Sequence, residues 1–501
     1  MNKTEIVVVG AGIAGLTSAA ILSKLGLSVT LIESHTQSGG CAGTFKRKKY
    51  IFDVGATQVA GLEEGGIHSK IFKFLDIPLP EATILNPACI VDLNDGSSPI
   101  PIWYNKNEWI KEREIQFPGS RKFWQLCNFI HKSNWTFANK NPVLPINNLW
   151  DCSQFLRALV PTNFATGILL KSTIFDLLRI CGLSNDQRLI KFLNLQLKLY
   201  SQEDVYKTAA LYGSTVLQIC QQPHGLWHLK KSMQDLSEAL EDSLKKTGVN
   251  IVFGQKVNSI NFDDVNNSWK VCAISKQESF EYYSNDVIFT PPPQSLLKKI
   301  GNSLDRNHDY KKRIQSLPNP SGALVFYSAL KKEHIKSISS NHYQFVSNEL
   351  GSLFVSISEN GDGRAPRGEI TLIASLFTKT DDWFNLDKNE YIKKKKEYIQ
   401  KISFALENQF DIAFDNWLHK ELATPLGFER WTNRPNGMVG GLGQNPEIFG
   451  LFGLSSRTPF KGLWLCGDSI YPGEGTAGVS QSALMVSRQI LASKGINDFN
   501  L

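Results

Sequence analysis

Short hydrophobic runs alternate with a longer helical run at the start of the chain. Thr4–Val9 is a run of mostly apolar and β-branched residues, which is typical of a buried parallel strand. Apolar residues then recur at helical spacing from Leu16 to Leu25, and Gly26 follows where a helix C-cap is expected. Ser28–Ile32 is a second strand-like run. The pattern predicts a β-α-β unit with two parallel strands.

The turn between the first strand and the helix carries glycines in the pattern Gly-x-Gly-x-x-Gly. Gly10 permits a tight turn, Gly12 lets the backbone approach phosphate oxygens, and Gly15 lets the helix pack against the strand. Glu33 ends the second strand 18 residues after Gly15, where an acceptor for a ribose hydroxyl is expected. Because free N–H groups at a helix N-terminus attract phosphate, the unit predicts a dinucleotide site.

The pattern from about residue 65 to residue 240 is mainly helical and rich in aromatic residues. Helices are predicted around Phe123–Ile130 and over Leu189–Tyr200. Phe164–Ile180 is strongly apolar and contains three charged residues. Two interpretations of this stretch are open, a helix in a membrane interface and a helix in the core of a substrate domain.

Strand patterns return over Asn250–Phe253, Lys256–Ile260 and Val287–Thr290, and the last run stops at three consecutive prolines. Further strands are predicted over Ala323–Tyr327 and Glu369–Ile373, before a long helix that carries a run of lysines. The first group indicates that the nucleotide-binding domain resumes after an insertion.

A second glycine-rich segment near the C-terminus repeats the order strand, acid, loop and helix. The strand leads to Gly467 and Asp468, and the helix is predicted to continue to about Leu491. The first free N–H groups of this helix belong to Ala477, Gly478 and Val479. These donors would stabilise negative charge on a cofactor ring, and Asp468 would accept a hydrogen bond from a sugar-chain hydroxyl.

Composition limits the class of protein. The chain has 501 residues, of which 42% are hydrophobic and 20% charged, as expected for a globular protein with two or more subdomains. The net charge of +7 is spread along the chain. Its densest runs, Lys46–Lys49 and Lys393–Lys396, are interpreted as solvated faces, with attraction to anionic lipid headgroups as the alternative.

The cysteines and histidines give no metal motif. The eight cysteines are scattered without a C-x-x-C pair, which argues against zinc or dithiol chemistry and favours a reduced, cytosolic protein. We expect no signal peptide, because the N-terminal apolar run is the first strand itself. No apolar stretch of the sequence is long enough for a spanning helix, and no nucleic-acid motif is recognised.

Together, the two glycine-rich ends resemble the FAD-dependent oxidoreductases that include amine oxidases and carotenoid desaturases. The resemblance implies bound FAD, with the ADP half at the N-terminal unit and the flavin half at the Gly467-Asp468 segment. It also implies cofactor contacts from the paired glycines Gly39 and Gly40 and places Val257 near the adenine. Many members carry arginine after the paired glycines. This chain has Cys41 there, which we interpret as a small buried thiol, with covalent flavin attachment as the alternative.

The fold class implied is α/β: a Rossmann-like FAD-binding domain of the amine oxidase and phytoene desaturase type with an inserted α+β substrate domain. The FAD-binding domain is predicted to be discontinuous. Its three segments are 1–65, 240–295 and 455–501. Residues 66–239 are predicted to form a mainly helical substrate or membrane-facing region, and residues 296–454 a mixed α/β substrate domain.

Further strings resemble phytoene-desaturase-type enzymes, among them Phe428–Thr432, Gly437–Gly441 and Gly225–Leu229. Finer strings, Asp53–Glu63 and Gln116–Ser120 among them, resemble the cyanobacterial carotenoid C-3',4' desaturases. This implies desaturation of a carotenoid by hydride transfer from the polyene to flavin. The alternatives are a carotene cis–trans isomerase on the same fold, a non-enzymic prenyl-lipid carrier and an amine oxidase.

The catalytic residues are not identified by the sequence. Polar candidates beside the flavin are Glu474, Arg430, Gln58 and Thr57. The expected partners are an apolar carotenoid, a membrane surface and a final electron acceptor that is either a quinone or oxygen, with no nucleic acid. The expected location is cytoplasmic with peripheral membrane association.

Overall fold

The predicted β-α-β unit forms at the N-terminus of the computed structural model, which describes residues 2–301, 307–318, 321–336 and 338–501. The parts of the predicted domains at residues 1, 302–306, 319–320 and 337 therefore lie outside the described residues. The elements of the first part of the chain are, in order, β1 (Asn2–Val9), α1 (Ile13–Lys24), β2 (Val29–Ile32), β3 (Thr44–Arg47), β4 (Tyr50–Asp53) and β5 (Val59–Ala60).

The next part is mainly helical. Its elements are α2 (Ile67–Leu75), β6 (Ala82–Ile84), β7 (Cys89–Asp92), β8 (Ile100–Ile102), α3 (Lys106–Gln116), α4 (Arg121–Ala138), α5 (Leu149–Ala158), α6 (Pro161–Gly167), α7 (Ile174–Ile180), α8 (Gln187–Ser201), α9 (Ala210–Val216) and β9 (Leu226–Leu229).

The remaining part returns to strands and ends in a long helix. Its elements are α10 (Gln234–Lys246), β10 (Asn250–Val252), β11 (Lys256–Asp263), β12 (Ser268–Ser275), β13 (Glu278–Phe289), α11 (Pro293–Leu297), α12 (His308–Gln315), β14 (Gly322–Lys331), β15 (His342–Ser347), β16 (Gly351–Ile357), β17 (Glu369–Thr378), α13 (Asp381–Phe384), α14 (Lys388–Phe410), β18 (Trp417–Ala423), α15 (Pro425–Thr432), β19 (Leu463–Leu465) and α16 (Thr476–Ser493).

The first sheet joins both ends of the chain. Its strand order is β10-β2-β1-β13-β12-β11, and β19 pairs with β13 in parallel. The strand β1 lies between β2 and β13 and is parallel to both. Ile6 and Val8 are fully buried on the face where α1 packs against α10 and α16, and Val7 is fully buried on the opposite face of the sheet.

The second sheet has the order β18-β14-β17-β16-β15-β7-β8. The helix α14 covers one of its faces through Ile402, Leu406 and Phe410. The strands β7 and β8 come from the region predicted to be mainly helical and extend the edge of this sheet. The two smaller sheets have the strand orders β3-β4 and β5-β9-β6.

The apolar stretch Phe164–Ile180 is not one helix, so the expectation of a single helix there is wrong. It is divided into the end of α6, a turn and α7. Pro161 begins α6, and Thr173 begins α7 by accepting a hydrogen bond from the backbone N–H of Asp176. The cap ends the first helix and starts the second in a new direction. The predicted helices around Phe123–Ile130 and Leu189–Tyr200 form within α4 and α8.

Candidate functional site

The N-terminal glycine turn forms a backbone cradle at the start of α1. Gly10 has a φ of +99°, and a Cβ there would lie 2.5 Å from Thr290 Oγ1. A Cβ on Gly15 would overlap the carbonyl oxygen of Gly10, so only glycine lets the helix approach the turn so closely. A Cβ on Gly12 would meet nothing within 4 Å. The cavity begins at that open position, where the free N–H groups of the first turn of α1 face it.

The paired glycines complete this side of the cradle. Gly39 has a φ of +112°, and its N–H donates to the Ala11 carbonyl oxygen at 2.8 Å. Gly40 lies so near the turn that its Cβ would be 3.3 Å from Gly12 Cα. Both glycines line the cavity, as does Gly12. The residues present therefore fit a dinucleotide pyrophosphate held by backbone groups.

Glu33 lies on the cavity wall at the end of β2. Its Oε2 accepts a hydrogen bond from the Ala11 backbone N–H at 2.7 Å, and its Oε1 accepts one from the His35 N–H at 2.7 Å. These bonds fix the carboxylate against the glycine turn. Ser34 Oγ also donates to Oε1 at 3.0 Å, so Oε2 is the oxygen that keeps a lone pair for a further donor, as the role of ribose acceptor requires.

The C-terminal segment builds a second cradle on the same cavity. Gly467 follows β19 with a φ of +123°, and its N–H donates to Ser482 Oγ at 3.1 Å. The helix α16 begins after Gly475 without a side-chain cap. Ala477, Gly478 and Val479 in its first turn all line the cavity. The cavity wall therefore contains a second helix N-terminus, as the sequence predicted.

Asp468 is paired with an arginine that the sequence analysis missed. Arg434 Nη1 lies 2.9 Å from Asp468 Oδ2, and Arg434 Nε donates to the Met438 carbonyl oxygen at 3.0 Å. Cys41 also lines the cavity, and burial raises the pKa of its thiol, with the Arg434 charge opposing the rise. Cys41 is partly buried rather than fully buried as expected, and a thiol with a raised pKa is a poor nucleophile, which argues against covalent flavin attachment.

One cavity of about 1460 Å³ connects both cradles to an apolar chamber. The chamber lies against the second sheet and the helices α8 and α9, and reaches α5 and α6. Its aromatic and aliphatic wall includes Tyr200, Tyr212, Phe354, Phe377, Phe449 and Tyr471. Leu159, Phe164 and Leu170 line its far end. The arrangement gives a long apolar ligand access to the space beside the two helix N-termini.

Glu474 lies on the wall between the second cradle and the apolar chamber. Its Oε2 accepts hydrogen bonds from Gln202 Nε2 and from the Gly441 backbone N–H, both at 2.9 Å. Burial raises the pKa of Glu474 to about 7, and the nearby Asp468 charge adds to the rise. Gln202 is a further residue of the site that no sequence pattern indicated.

The other candidates lie elsewhere on the wall or outside it. Gln58 lines the cavity and donates through Nε2 to the Ala88 carbonyl oxygen at 3.1 Å, and Thr57 is a buried lining residue. Arg430 is exposed on α15 at the edge of the cavity, with its guanidinium over the Trp431 ring. Neither Arg430 nor Gln58 forms a hydrogen bond or ion pair with Glu474 in the described part of the chain.

Val257 and Gly15 do not line the cavity. Val257 is buried in β11, opposite Ala273. Within the described ranges, no cluster of three or more His, Cys, Asp or Glu side chains has a geometry suited to a metal ion. The helices in those same ranges are all too short or too polar to cross a bilayer.

The fold and the two cradles define the class of protein: an α/β protein with a Rossmann-like nucleotide-binding domain, an inserted α+β domain and a large apolar cavity. A family model described as an NAD(P)-binding Rossmann-like domain matches residues 8–76. Among solved structures, a putrescine oxidase double variant with redesigned cofactor binding superposes with a TM-score of 0.65 at 16% identity, covering 99% of each chain.

Two curated proteins are similar over nearly the whole chain. Prolycopene isomerase 1 of an Oncidium hybrid cultivar is 24% identical over 516 residues, which is 99% of this chain and 85% of that protein. The 4,4'-diapolycopene oxygenase of a Methylomonas species is 21% identical over 527 residues, which is 98% of this chain and 99% of that protein. The predicted resemblance to phytoene-desaturase-type oxidoreductases, the fold class and the assignment as an oxidoreductase are confirmed.

Proposed function

We propose that the chain is a FAD-dependent carotenoid desaturase that acts at the C-3',4' bond. The observation that carries this proposal is the single cavity that joins the two cradles, one for each half of a dinucleotide, to a long apolar chamber. Oxidation of a polyene needs an electron acceptor beside an apolar substrate, and this cavity has room for both in one continuous space.

FAD is the cofactor that we assign to the two cradles. The N-terminal turn with Glu33, Gly39 and Gly40 offers backbone N–H groups and a carboxylate for the ADP half. The C-terminal cradle then offers Asp468 and the N-terminus of α16 to the remaining half. Bound FAD would supply the electron sink for oxidation of a carbon–carbon single bond. The protein holds the substrate and excludes water.

The size and lining of the chamber support a carotenoid substrate. Pockets for small molecules are usually ~300–1,000 Å³, and the cavity of about 1460 Å³, which includes the cradles, has room for a substrate besides the cofactor. The wall of the chamber between α8, α9 and the second sheet is mostly aromatic and aliphatic. Both relatives carry carotenoid-type polyenes, prolycopene and 4,4'-diapolycopene, in their names.

The substrate would come from a bilayer surface and would enter the cavity at its far end. Phe164 lines the cavity and is 73% exposed, and Ile168 beside it is 83% exposed. Leu149 on the neighbouring α5 is 91% exposed. An apolar rim at the mouth would enter the headgroup region and let a dissolved carotenoid pass into the chamber. The protein would then associate peripherally from the cytoplasm and pass electrons to a quinone or to oxygen.

Carotene cis–trans isomerisation is the second candidate. It is favoured by the similarity to a prolycopene isomerase over 99% of this chain. The same cavity would serve both reactions, because each requires a long polyene beside the cofactor. The products differ in mass, since desaturation removes two hydrogen atoms and isomerisation removes none.

The test is expression in cells that accumulate a 1'-hydroxylated γ-carotene-type pigment. A desaturase yields a pigment that is two hydrogen atoms lighter and absorbs at longer wavelength. The matched control is Gly12→Asp, which sets a carboxylate where the phosphate is expected and should yield no new pigment. A new pigment of unchanged mass would show that the reaction is isomerisation and not desaturation. A pigment that is unaltered in mass and spectrum would contradict both candidate functions.

A further inference from the structure

Among the described residues, four carboxyl groups line the cavity, and one of them has neither an ion pair nor hydrogen bonds to both of its oxygens. These groups belong to Glu33, Glu421, Asp468 and Glu474. Glu33 is held by backbone N–H groups of the nucleotide loop. Glu421 is paired with Arg47 at 3.0 Å, and Asp468 is paired with Arg434 at 2.9 Å. Glu474 forms no salt bridge within the described part of the chain.

The hydrogen bonds around Glu474 determine which of its two carboxyl oxygens is left free for a ligand. Gln202 Oε1 accepts a hydrogen bond from the Ser321 backbone N–H at 3.1 Å, which identifies the oxygen of that amide. Gln202 Nε2 must then donate, and it does so to the Val439 carbonyl oxygen at 2.8 Å and to Glu474 Oε2 at 2.9 Å. The Gly441 N–H donates to the same Oε2.

Because two N–H donors occupy Oε2, a proton on this carboxyl group belongs on Oε1. In the described residues Oε1 accepts no hydrogen bond from protein, although Oε2 accepts two. It is therefore the oxygen that remains free for a proton of the ligand. The carboxyl group is held in one orientation and leaves one atom for proton exchange.

Two local features maintain this arrangement. Gln202 has a φ of +61° as the left-handed residue that ends α8, which turns its side chain away from the helix axis toward the next segment. A Cβ at Gly440 would overlap both Gln202 Nε2 and Glu474 Oε2, so glycine is needed beside this contact.

The charged and titratable groups that face Glu474 are Asp468, Arg434 and Tyr212. Burial raises the pKa of Glu474 to about 7, with Asp468 adding to the rise, while Gln202 and Arg434 oppose it. A carboxyl group that titrates near neutral pH can accept a proton and release it again under working conditions.

We infer that Glu474 Oε1 accepts the proton that the carotenoid loses, an inference that rests on the proposed desaturase function. One carbon gives up a hydride, with its electron pair, to oxidised flavin. The neighbouring C–H bond breaks, its electron pair becomes the new π bond, and its proton forms an O–H bond on Oε1. Gln202 is the positioning residue, because it holds Oε2 and leaves Oε1 free.

The experiment measures kcat, KM and their pH dependence for flavin-loaded protein with carotenoid in lipid vesicles. In the wild type, kcat rises with pH to an inflection at about 7, because the carboxylate is the form that accepts a proton. E474Q lowers kcat by on the order of 100-fold or more with KM unchanged. E474D keeps the pH dependence at a reduced kcat. The control, E81Q, removes an exposed carboxylate that does not line the cavity and keeps the wild-type kcat.

Gln202→Met separates positioning from a merely structural role. Its hydrogen bond lowers the pKa of Glu474, so its removal moves the kcat inflection to higher pH. Infrared difference spectra of wild type against E474Q give a readout that does not depend on turnover. They should show a protonated carboxyl band that disappears as the pH rises through about 7.

Each result decides one proposal. If the wild type desaturates the carotenoid and E474Q keeps its kcat and pH profile, the proton-acceptor role is wrong and the desaturase function stands. If E474Q does not fold, the other two variants decide. The proton-acceptor role is wrong if the kcat of E474D shows no pH inflection. It is also wrong if the inflection of Q202M stays at the wild-type pH. If the wild type makes no lighter pigment, the desaturase function is wrong and the proton step is rejected with it.

Discussion

At the scale of single residues, a buried arginine links three separate parts of the chain. Arg364 is 2% exposed and lies between β16 and β17. Its Nη2 is 3.1 Å from Asp53 Oδ2 on β4, and its Nη1 is 2.9 Å from Asp362 Oδ2. Nη1 also donates to the Leu229 carbonyl oxygen of β9 at 3.0 Å. The guanidinium therefore ties the second sheet to the strands β4 and β9.

Arg364→Met should destabilise the protein by about 3–5 kcal/mol, because it leaves two buried carboxyl groups without a counter-charge. The free energy of unfolding in urea measures the loss. Lys336→Met is the control, since it removes an ion pair with Asp411 whose side chains are 70% and 74% exposed. The control should cost less than about 1 kcal/mol. Equal losses for the two variants would contradict the structural role of Arg364.

Single residues also show what the sequence can and cannot predict. The roles of Gly10 and Gly15 follow from local backbone geometry, so a short motif identifies them. Arg434 and Gln202 have no such motif, because each meets its partner only after distant segments have folded together. Arg434 pairs with Asp468 across 34 positions of sequence, and Gln202 reaches Glu474 across 272. Their hydrogen-bonding function is a property of tertiary structure.

At the scale of elements, a substitution at the N-terminus of α1 can weaken cofactor binding without destabilising the fold. Gly12 is the N-cap of α1, with an extended backbone that a serine also adopts, and a Cβ there meets open space. Gly12→Ser should keep the stability of the protein or raise it by up to about 1 kcal/mol. It should weaken FAD binding about tenfold or more, because the side chain fills the phosphate position.

Titration of flavin fluorescence gives the affinity, and urea unfolding of the same apoprotein gives the stability. Gly15→Ser is the contrasting variant, because its Cβ would overlap the Gly10 carbonyl oxygen. That variant should lose both stability and flavin binding. A Gly12→Ser protein that binds FAD as tightly as the wild type would argue against the cradle as the phosphate site.

The helices α6 and α7 show how a local cap divides an apolar stretch. Hydrophobicity alone predicted one helix over Phe164–Ile180, but the pair Thr173 and Asp176 is a capping signal in the middle of that stretch. This capping signal is present in the sequence, but a prediction from hydrophobicity does not take it into account. The break leaves Phe164 and Ile168 exposed at the mouth of the cavity.

Phe164→Ser combined with Ile168→Ser should weaken binding to vesicles with anionic lipid by tenfold or more. Burying a large apolar side chain is worth about 1.5–3 kcal/mol, and two are removed. Co-sedimentation with vesicles measures the effect. The control pair is Phe414→Ser with Val265→Ser, since these side chains are 75% and 93% exposed away from the cavity lining. Equal weakening by both pairs would show that the mouth is not the membrane contact.

At the scale of the whole molecule, both ends of the chain contribute to one sheet and one cavity. The strands β1 and β19 lie on either side of β13, so each glycine-rich turn follows a strand of the same parallel set. Parallel strands present their carboxyl ends at one edge, which brings the two turns together. The sequence predicted this architecture because each half carries its own strand, turn and helix. The shape of the apolar chamber was not predictable, since it depends on packing between α5, α6, α8, α9 and the second sheet.

The central claim is that one cavity holds FAD and a polyene so that the polyene is oxidised. Anaerobic mixing of FAD-loaded protein with carotenoid in vesicles tests it most directly in a single turnover. We expect the absorbance of oxidised flavin to be lost as an equal amount of pigment becomes two hydrogen atoms lighter. Flavin that keeps its oxidised spectrum in the presence of the carotenoid, with the pigment mass unchanged, would contradict the claim.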